Sequence, residues 1–310
     1  VTNTSLQLSD GSGLASNYSI ANTISSDITL RPVNLSGSRV YNGTTDATAS
    51  DLSLGNLVSG ENISLSGTGT LDSAAVGSQT ITNIGSLAIS DGSSSASNYS
   101  LTGNLSMAIT KRSVTVTGSK FYDGTTNVAA SNVTSFTNLV SGETLSLSGI
   151  GSVASSTVGN NKSVSHQTLA LANGSGAASN YSLGNVTINI NKRILSLDGI
   201  RAFDGNTTVS SSDISTFGNI VSGESLTLSG VATVTNANAG MNKSLTLGSL
   251  SLSDGSGNAS NYTLSGGTHT FDISQLSVNV TGSKIYDGTT TVNGSTLTLT
   301  NLVSGEAVSL

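Results

Sequence analysis

Apolar side chains fall on every second position along much of the chain, with Ser, Thr or Asn between them. Val114 and Val116 in SVTVTG follow this rule, as do Leu145 and Leu147 in TLSLSG. In KSLTLGSLSLSD, Leu245 pairs with Leu247 and Leu250 with Leu252. A period of two sends alternate side chains to opposite faces of a strand, so the pattern predicts strands with one buried and one wet face. The phase slips at Gly248-Ser249 and again at Gly184-Asn185, which predicts a turn or bulge at each place. Clusters such as DGSGNASN (254–261) mark further turns. No stretch carries the period of an amphipathic helix. Short strands between regular turn signals predict an all-β chain of sandwich domains.

The pattern itself repeats. The ring in SGSRVYNGTT, TGSKFYDGTT, DGIRAFDGNT and TGSKIYDGTT falls at Tyr41, Tyr122, Phe203 and Tyr286, with spacings of 81, 81 and 83 residues. NLVSGE stands at 56–61, 138–143 and 301–306, with NIVSGE at 219–224. ASNYS stands at 15–19, 96–100 and 178–182, with ASNYT at 259–263. ITLR (28–31), ITKR (109–112), INKR (190–193) and ISQL (273–276) close the units. Complete repeats are therefore expected at 32–112, 113–193 and 194–276. The end of a repeat is expected at 1–31 and the start of one at 277–310. A unit near 81 residues is far longer than one solenoid coil of about 20–29 and suits a small Ig-like β-sandwich. The junctions, as in LSMAITKRSVTVTG, contain no linker, so strand should pass almost directly into strand. Domains joined end to end in this way predict an elongated, stiff rod adding roughly 35–45 Å per repeat.

Composition narrows the function. Only 9% of residues are charged, the net charge is -6, and there is no cysteine. A sequence pI near 4.7 argues against nucleic acid, which requires clustered Lys and Arg. No apolar run approaches the roughly 20 residues of a membrane helix, so no membrane insertion of this segment is expected. Disulfides and thiolate metal sites are excluded. VTNTSLQLSD lacks the basic start and apolar core of a signal peptide, and reads as the interior of a longer protein.

The recurring phrases invite a search for chemistry. In Y-[DN]-G the acid is Asp123, Asp204 or Asp287, but Asn42 in the first copy; an amide supports a turn and cannot act as a general base. Gly43, Gly124, Gly205 and Gly288 then supply the positive φ of that turn. Tyr18, Tyr41, Tyr99, Tyr122, Tyr181, Tyr262 and Tyr286 all lie in the Y-[DN]-G or ASNY phrases, and Phe203 fills the one missing place. They read as core anchors with bonded hydroxyls, the alternative being sugar stacking. Asp10, Asp91 and Asp254 in DGSG-type loops offer calcium one carboxylate each, with Asn173 in the equivalent place, far short of the usual six to eight oxygens. Glu61, Glu143, Glu224 and Glu306 read as solvated or backbone-bonded, and Arg39, Lys120, Arg201 and Lys284 as surface pairs worth about 0–1 kcal/mol. His166 and His269 occupy different places in their units. No catalytic site and no cofactor are expected.

The phrases VTVTGSKFYDGTT, NLVSGETLSLSG, ASNYSL, MAITKR and INKR together resemble the YDG-type tandem repeats of bacterial surface adhesins, the filamentous-haemagglutinin-like exoproteins. They are also similar to mostly-bacterial Ig-like repeats. The resemblance implies a stalk outside the cell, often exported by a two-partner route in Gram-negative bacteria. It implies neighbouring repeats of the same chain as partners, with surface polysaccharide or a host or cell-surface ligand bound by other regions. Two alternatives remain: the repeats themselves bind polysaccharide or a partner protein, or copies associate laterally into a filament through strand edges.

Overall fold

The computed structural model of the chain describes residues 6–21 and 25–310. Among these residues the regular structure is β-strand, interrupted by three-residue 3-10 turns. Alternation accounts for the strands individually. In Arg112–Phe121, Val114, Val116 and Lys120 are buried while Thr115, Thr117 and Phe121 face outward. Fully burying a side chain such as Val116 contributes about 1.5–3 kcal/mol, whereas the Thr and Ser between need only water. Lys120 is the exception, a cation in phase with the buried valines.

The chain divides into two compact units: Val1–Val114 with Asn138–Leu145 and Asn173–Ser182, and Thr115–Thr137 with Ser146–Ala172 and Leu183–Leu310. The division falls inside residues 113–193, whose NLVSGE and ASNYS segments group with the residues up to Val114.

In the first unit a six-stranded sheet runs in the order Asp46–Thr48, Thr68–Leu71, Gly77–Asn83, Ser106–Thr110, Asn34–Val40, Leu52–Gly55. Neighbours are antiparallel except the first and last long strands, which lie parallel with Ile109 opposite Arg39. Ile63–Ser66 and Ala88–Asp91 form a separate antiparallel pair. Val33, Ile63 and Tyr99 centre a core cluster with Leu54, Leu57 and Ile89 against it. Pro32 is the second residue of the two-residue strand Arg31–Pro32, which pairs in parallel with Tyr99–Ser100 as a sheet of its own, so its missing N–H falls on an edge strand, where it is tolerated.

The second unit repeats the plan. Thr208–Ser210, Val231–Val234, Gly240–Thr246, Thr270–Ser274, Ser196–Ala202 and Ile214–Gly218 follow in the same sheet order. Leu226–Ser229 pairs with Ser251–Asp254. One core cluster runs from Val116 through Ile188 and Leu197 to Phe271 and Ile273. Gly248, with φ +54, sits in the turn expected from the phase slip. At Gly184-Asn185 no turn forms: Tyr181–Asn191 is one strand, and the buried positions change phase within it. The chain is thus all-β and built of tandem repeats. Strand passes to strand at the junctions with Lys111 alone between Ser106–Thr110 and Arg112–Phe121.

Candidate functional site: the repeat junction

The Y-[DN]-G phrase ends the first strand of a repeat and turns the chain. Asn42, Asp123, Asp204 and Asp287 each accept a hydrogen bond through Oδ1 from the backbone N–H two residues on, at 3.0, 2.9, 2.9 and 3.0 Å. Amide and carboxylate do the same work, so the acid is dispensable. The recurring cation is not the exposed pair expected from the sequence. Lys120 is buried, and its Nζ donates to Asp123 Oδ1 (2.9 Å), Thr125 O (3.0 Å) and Asn127 O (2.7 Å). Lys284 makes the matching set to Asp287, Thr289 and Thr291. The ammonium ties down turn carbonyls that point inward, which is why it occupies an inward position. Burial works against the charge of Asp123, but the bonds from Lys120 and Thr125 outweigh it and lower its pKa. Lys120→Met keeps the stem and removes the donor. It is expected to lower the unfolding free energy by about 2 kcal/mol in urea titrations, because two inward carbonyls lose their partner.

The ring beside this turn meets the next repeat. Tyr41 donates its O–H to Glu143 Oε1 at 2.6 Å, across 102 residues, and Tyr181 donates to Glu143 Oε2 at 2.5 Å. The two rings meet edge to face, 5.4 Å apart at 77°. One period later Tyr122 and Tyr262 each donate to Glu224 at 2.6 Å, with rings 5.4 Å apart at 79°. The hydroxyls of Tyr181 and Tyr262 also accept the backbone N–H of Val140 and Val221, both at 3.2 Å. All four rings are buried. The carboxylates of Glu143 and Glu224 are therefore two-phenol acceptors, which corrects their reading as solvated or backbone-bonded.

Glycine in the phrase has two causes. Gly43, Gly124 and Gly205 have φ of +81, +77 and +78, a region that disfavours a Cβ. A Cβ there would also lie 2.9, 3.0 and 3.1 Å from the Cγ1 of Val140, Val221 and Val303, the valines of the following VSGE phrases. Arginine completes the clasp. Arg112 donates through Nε to Asn138 O (2.6 Å), through Nη2 to Asn138 Oδ1 (2.8 Å) and through Nη1 to Tyr41 O (3.4 Å). Arg193 does the same to Asn219 and to Tyr122 O. Asn138 and Asn219, at φ +67, hold the left-handed conformation that Asn tolerates. From the other side, Asn180 Oδ1 accepts Val76 N and Asn261 Oδ1 accepts Val158 N, both at 3.0 Å.

Not every predicted anchor sits in this setting. Tyr99 is buried and donates to Glu61. Phe203 is half-buried and brings no hydroxyl. Tyr18 and Tyr286 are 71% and 91% exposed, so neither is a core anchor here; among the described residues the edge-to-face tyrosine pairs are Tyr41 with Tyr181 and Tyr122 with Tyr262, and neither exposed ring has such a partner. The DGSG-type acids are occupied by backbone. Asp10, Asp91 and Asp254 accept the N–H five residues on at 2.6–2.7 Å, and Asn173 does so at 2.8 Å. Among the described residues no three His, Cys, Asp or Glu side chains gather as a metal site. His269 accepts Leu197 N through Nδ1 at 3.1 Å, a backbone role.

Burial and the bonded carboxylate push the phenols of Tyr122 and Tyr181 up to about 12, and raise those of Tyr41 and Tyr262 in the same way. An unfolded tyrosine ionises near pH 10. Between about pH 10 and 12 the unfolded chain therefore gives up protons that the folded chain keeps. The stabilisation is complete below about pH 10 and is lost as pH rises through about 12. Urea midpoints are expected to be level from pH 7 to 9 and to fall steeply above 10. A midpoint that does not change up to pH 11.5 would contradict the clasp.

Strands, turns and junctions of this kind define a tandem β-repeat protein whose recurring residues join one repeat to the next. The YDG domain family model matches residues 25–107, 108–188 and 195–270, and the chain belongs to that family. No curated protein and no solved structure matches the chain.

Proposed function

We propose that this chain is a stalk segment of a large bacterial cell-surface adhesin, an extracellular spacer that projects an adhesive region away from the cell. The observation that carries this reading is the clasp, reproduced residue for residue in Tyr41–Glu143–Tyr181 and Tyr122–Glu224–Tyr262. Each clasp fixes a junction by bonds from the preceding turn, from the connecting arginine and from the following repeat. A joint held from three sides resists bending, and repetition of such joints adds length. Four of the seven motif tyrosines, Tyr41, Tyr122, Tyr181 and Tyr262, are spent inside the junctions, which favours a spacer over a carbohydrate-binding array. Neighbouring repeats are thus the main partners of each repeat. The test is small-angle scattering of the chain. A stiff particle lengthening by roughly 35–45 Å per complete repeat supports the stalk; a compact or freely jointed particle overturns it.

A further inference from the structure

The junction after the third repeat is built differently. Phe203 stands where Tyr41 and Tyr122 stand, and Leu276 where Arg112 and Arg193 stand. Gln275 replaces Lys111 and Lys192, and Ala239 replaces Val76 and Val158. These four departures come from three separate places in the sequence, yet all four line one hollow of about 480 Å³, together with Val303 and Glu306 of the following copy.

The groups that would receive a clasp are nevertheless in place. Asn301 keeps the left-handed φ of +68 and donates to Ser277 O at 2.8 Å, as Asn138 and Asn219 donate to Ser113 O and Ile194 O at 2.7 Å. Val303 still packs against the site of Gly205. The missing parts are on the donor side. Phe203 has no O–H for Glu306, and Leu276 has no guanidinium for Asn301 or for the carbonyl of residue 203. Four hydrogen bonds present at each of the two preceding junctions, one phenolic and three from arginine, have no donor here.

We propose that this third junction is a second class of joint, a compliant one, at which bending of the repeat array concentrates. Phe203, Leu276 and Val303 line the hollow with apolar surface, and apolar burial holds copies together without fixing their angle, because it is non-directional while the clasp bonds are not. Ala239 carries less bulk than Val76 and Val158, which stand in its place at the other two junctions. The proposal does not depend on the stalk reading, since it concerns the relative rigidity of joints within one chain.

Hydrogen exchange offers a matched probe. The backbone N–H of Glu61, Glu143, Glu224 and Glu306 donates to the carbonyl of the Val three residues before it in every copy, at 3.0, 3.0, 3.0 and 3.1 Å. Differences in exchange between these amides therefore report the surrounding joint. In the full chain, Phe203→Tyr with Leu276→Arg is expected to slow exchange at Glu306 about tenfold. The reverse exchange, Tyr122→Phe with Arg193→Leu, lies between complete repeats and is expected to speed exchange at Glu224 about tenfold, with Glu143 unchanged. An unchanged rate at either Glu306 or Glu224 overturns the proposal. So does a reverse variant in which Glu143 accelerates equally, since the loss would then be global and not a softened joint.

Discussion

Tyr262→Ala is expected to lower the unfolding free energy by about 4 kcal/mol, near the upper end for losing a buried aromatic ring. The ring is 2% exposed and meets Tyr122 edge to face at 5.4 Å. Its hydroxyl donates to Glu224 and accepts from Val221 N. Truncation removes the core contacts and the aromatic pair, and leaves a carboxylate oxygen and a backbone N–H without their partner. Tyr262→Phe separates these effects. It keeps the ring and loses only the hydroxyl, with an expected loss of about 1.5 kcal/mol for a bond to a charged acceptor. Tyr286→Ala is the internal control. It alters the same recurring residue type where the ring is 91% exposed, so a change within about 0.5 kcal/mol is expected. Guanidinium titration of the three variants checks the order. Equal losses for Tyr262→Ala and Tyr286→Ala would refute the account of burial.

Much of this fold can be read directly from the residues, and the limit lies at contact between repeats. Val114 and Val116 alternate with threonines, and the strand forms with those valines inside. Asn42 in place of Asp signals a turn rather than an acid, and the Oδ1 to N–H bond shows how the amide suffices. Glu143 is different. Its recurrence is visible, but its partners Tyr41 and Tyr181 lie 102 and 38 residues away. No local pattern states that the first turn of one repeat meets the VSGE turn of the next. Lys120 was hidden for another reason. Alternation places it inward, and a single inward cation resembles an error in the pattern until the carbonyls of Thr125 and Asn127 are seen to face it. Strand alternation also carries no direction, so the parallel pairing of Ser196–Ala202 with Thr270–Ser274 could not be deduced from it.

Glu224→Ala is expected to cost about 3 kcal/mol, because it leaves two buried phenol O–H groups without an acceptor and each such group costs about 1–3 kcal/mol. Glu143→Ala should cost the same, since Glu143 receives Tyr41 and Tyr181 in the same geometry. Glu224→Gln retains one acceptor oxygen, and its amide N–H can donate to the Tyr122 oxygen, so about 1 kcal/mol is expected. The decisive comparison is Glu61→Ala. Tyr99 is the one tyrosine bonded to Glu61 among the described residues, and that bond lies within a single repeat. If the carboxylate served only its own repeat, all three Ala variants would cost the same. Because Glu143 and Glu224 also hold the ring of the preceding repeat, their loss should exceed that of Glu61 by about 1–1.5 kcal/mol, the worth of one further charged hydrogen bond. A double-mutant cycle isolates that bond. Tyr122→Phe should be costly in the native background and nearly silent once Glu224 is Ala, giving a coupling of about 1 kcal/mol or more between residues of different repeats.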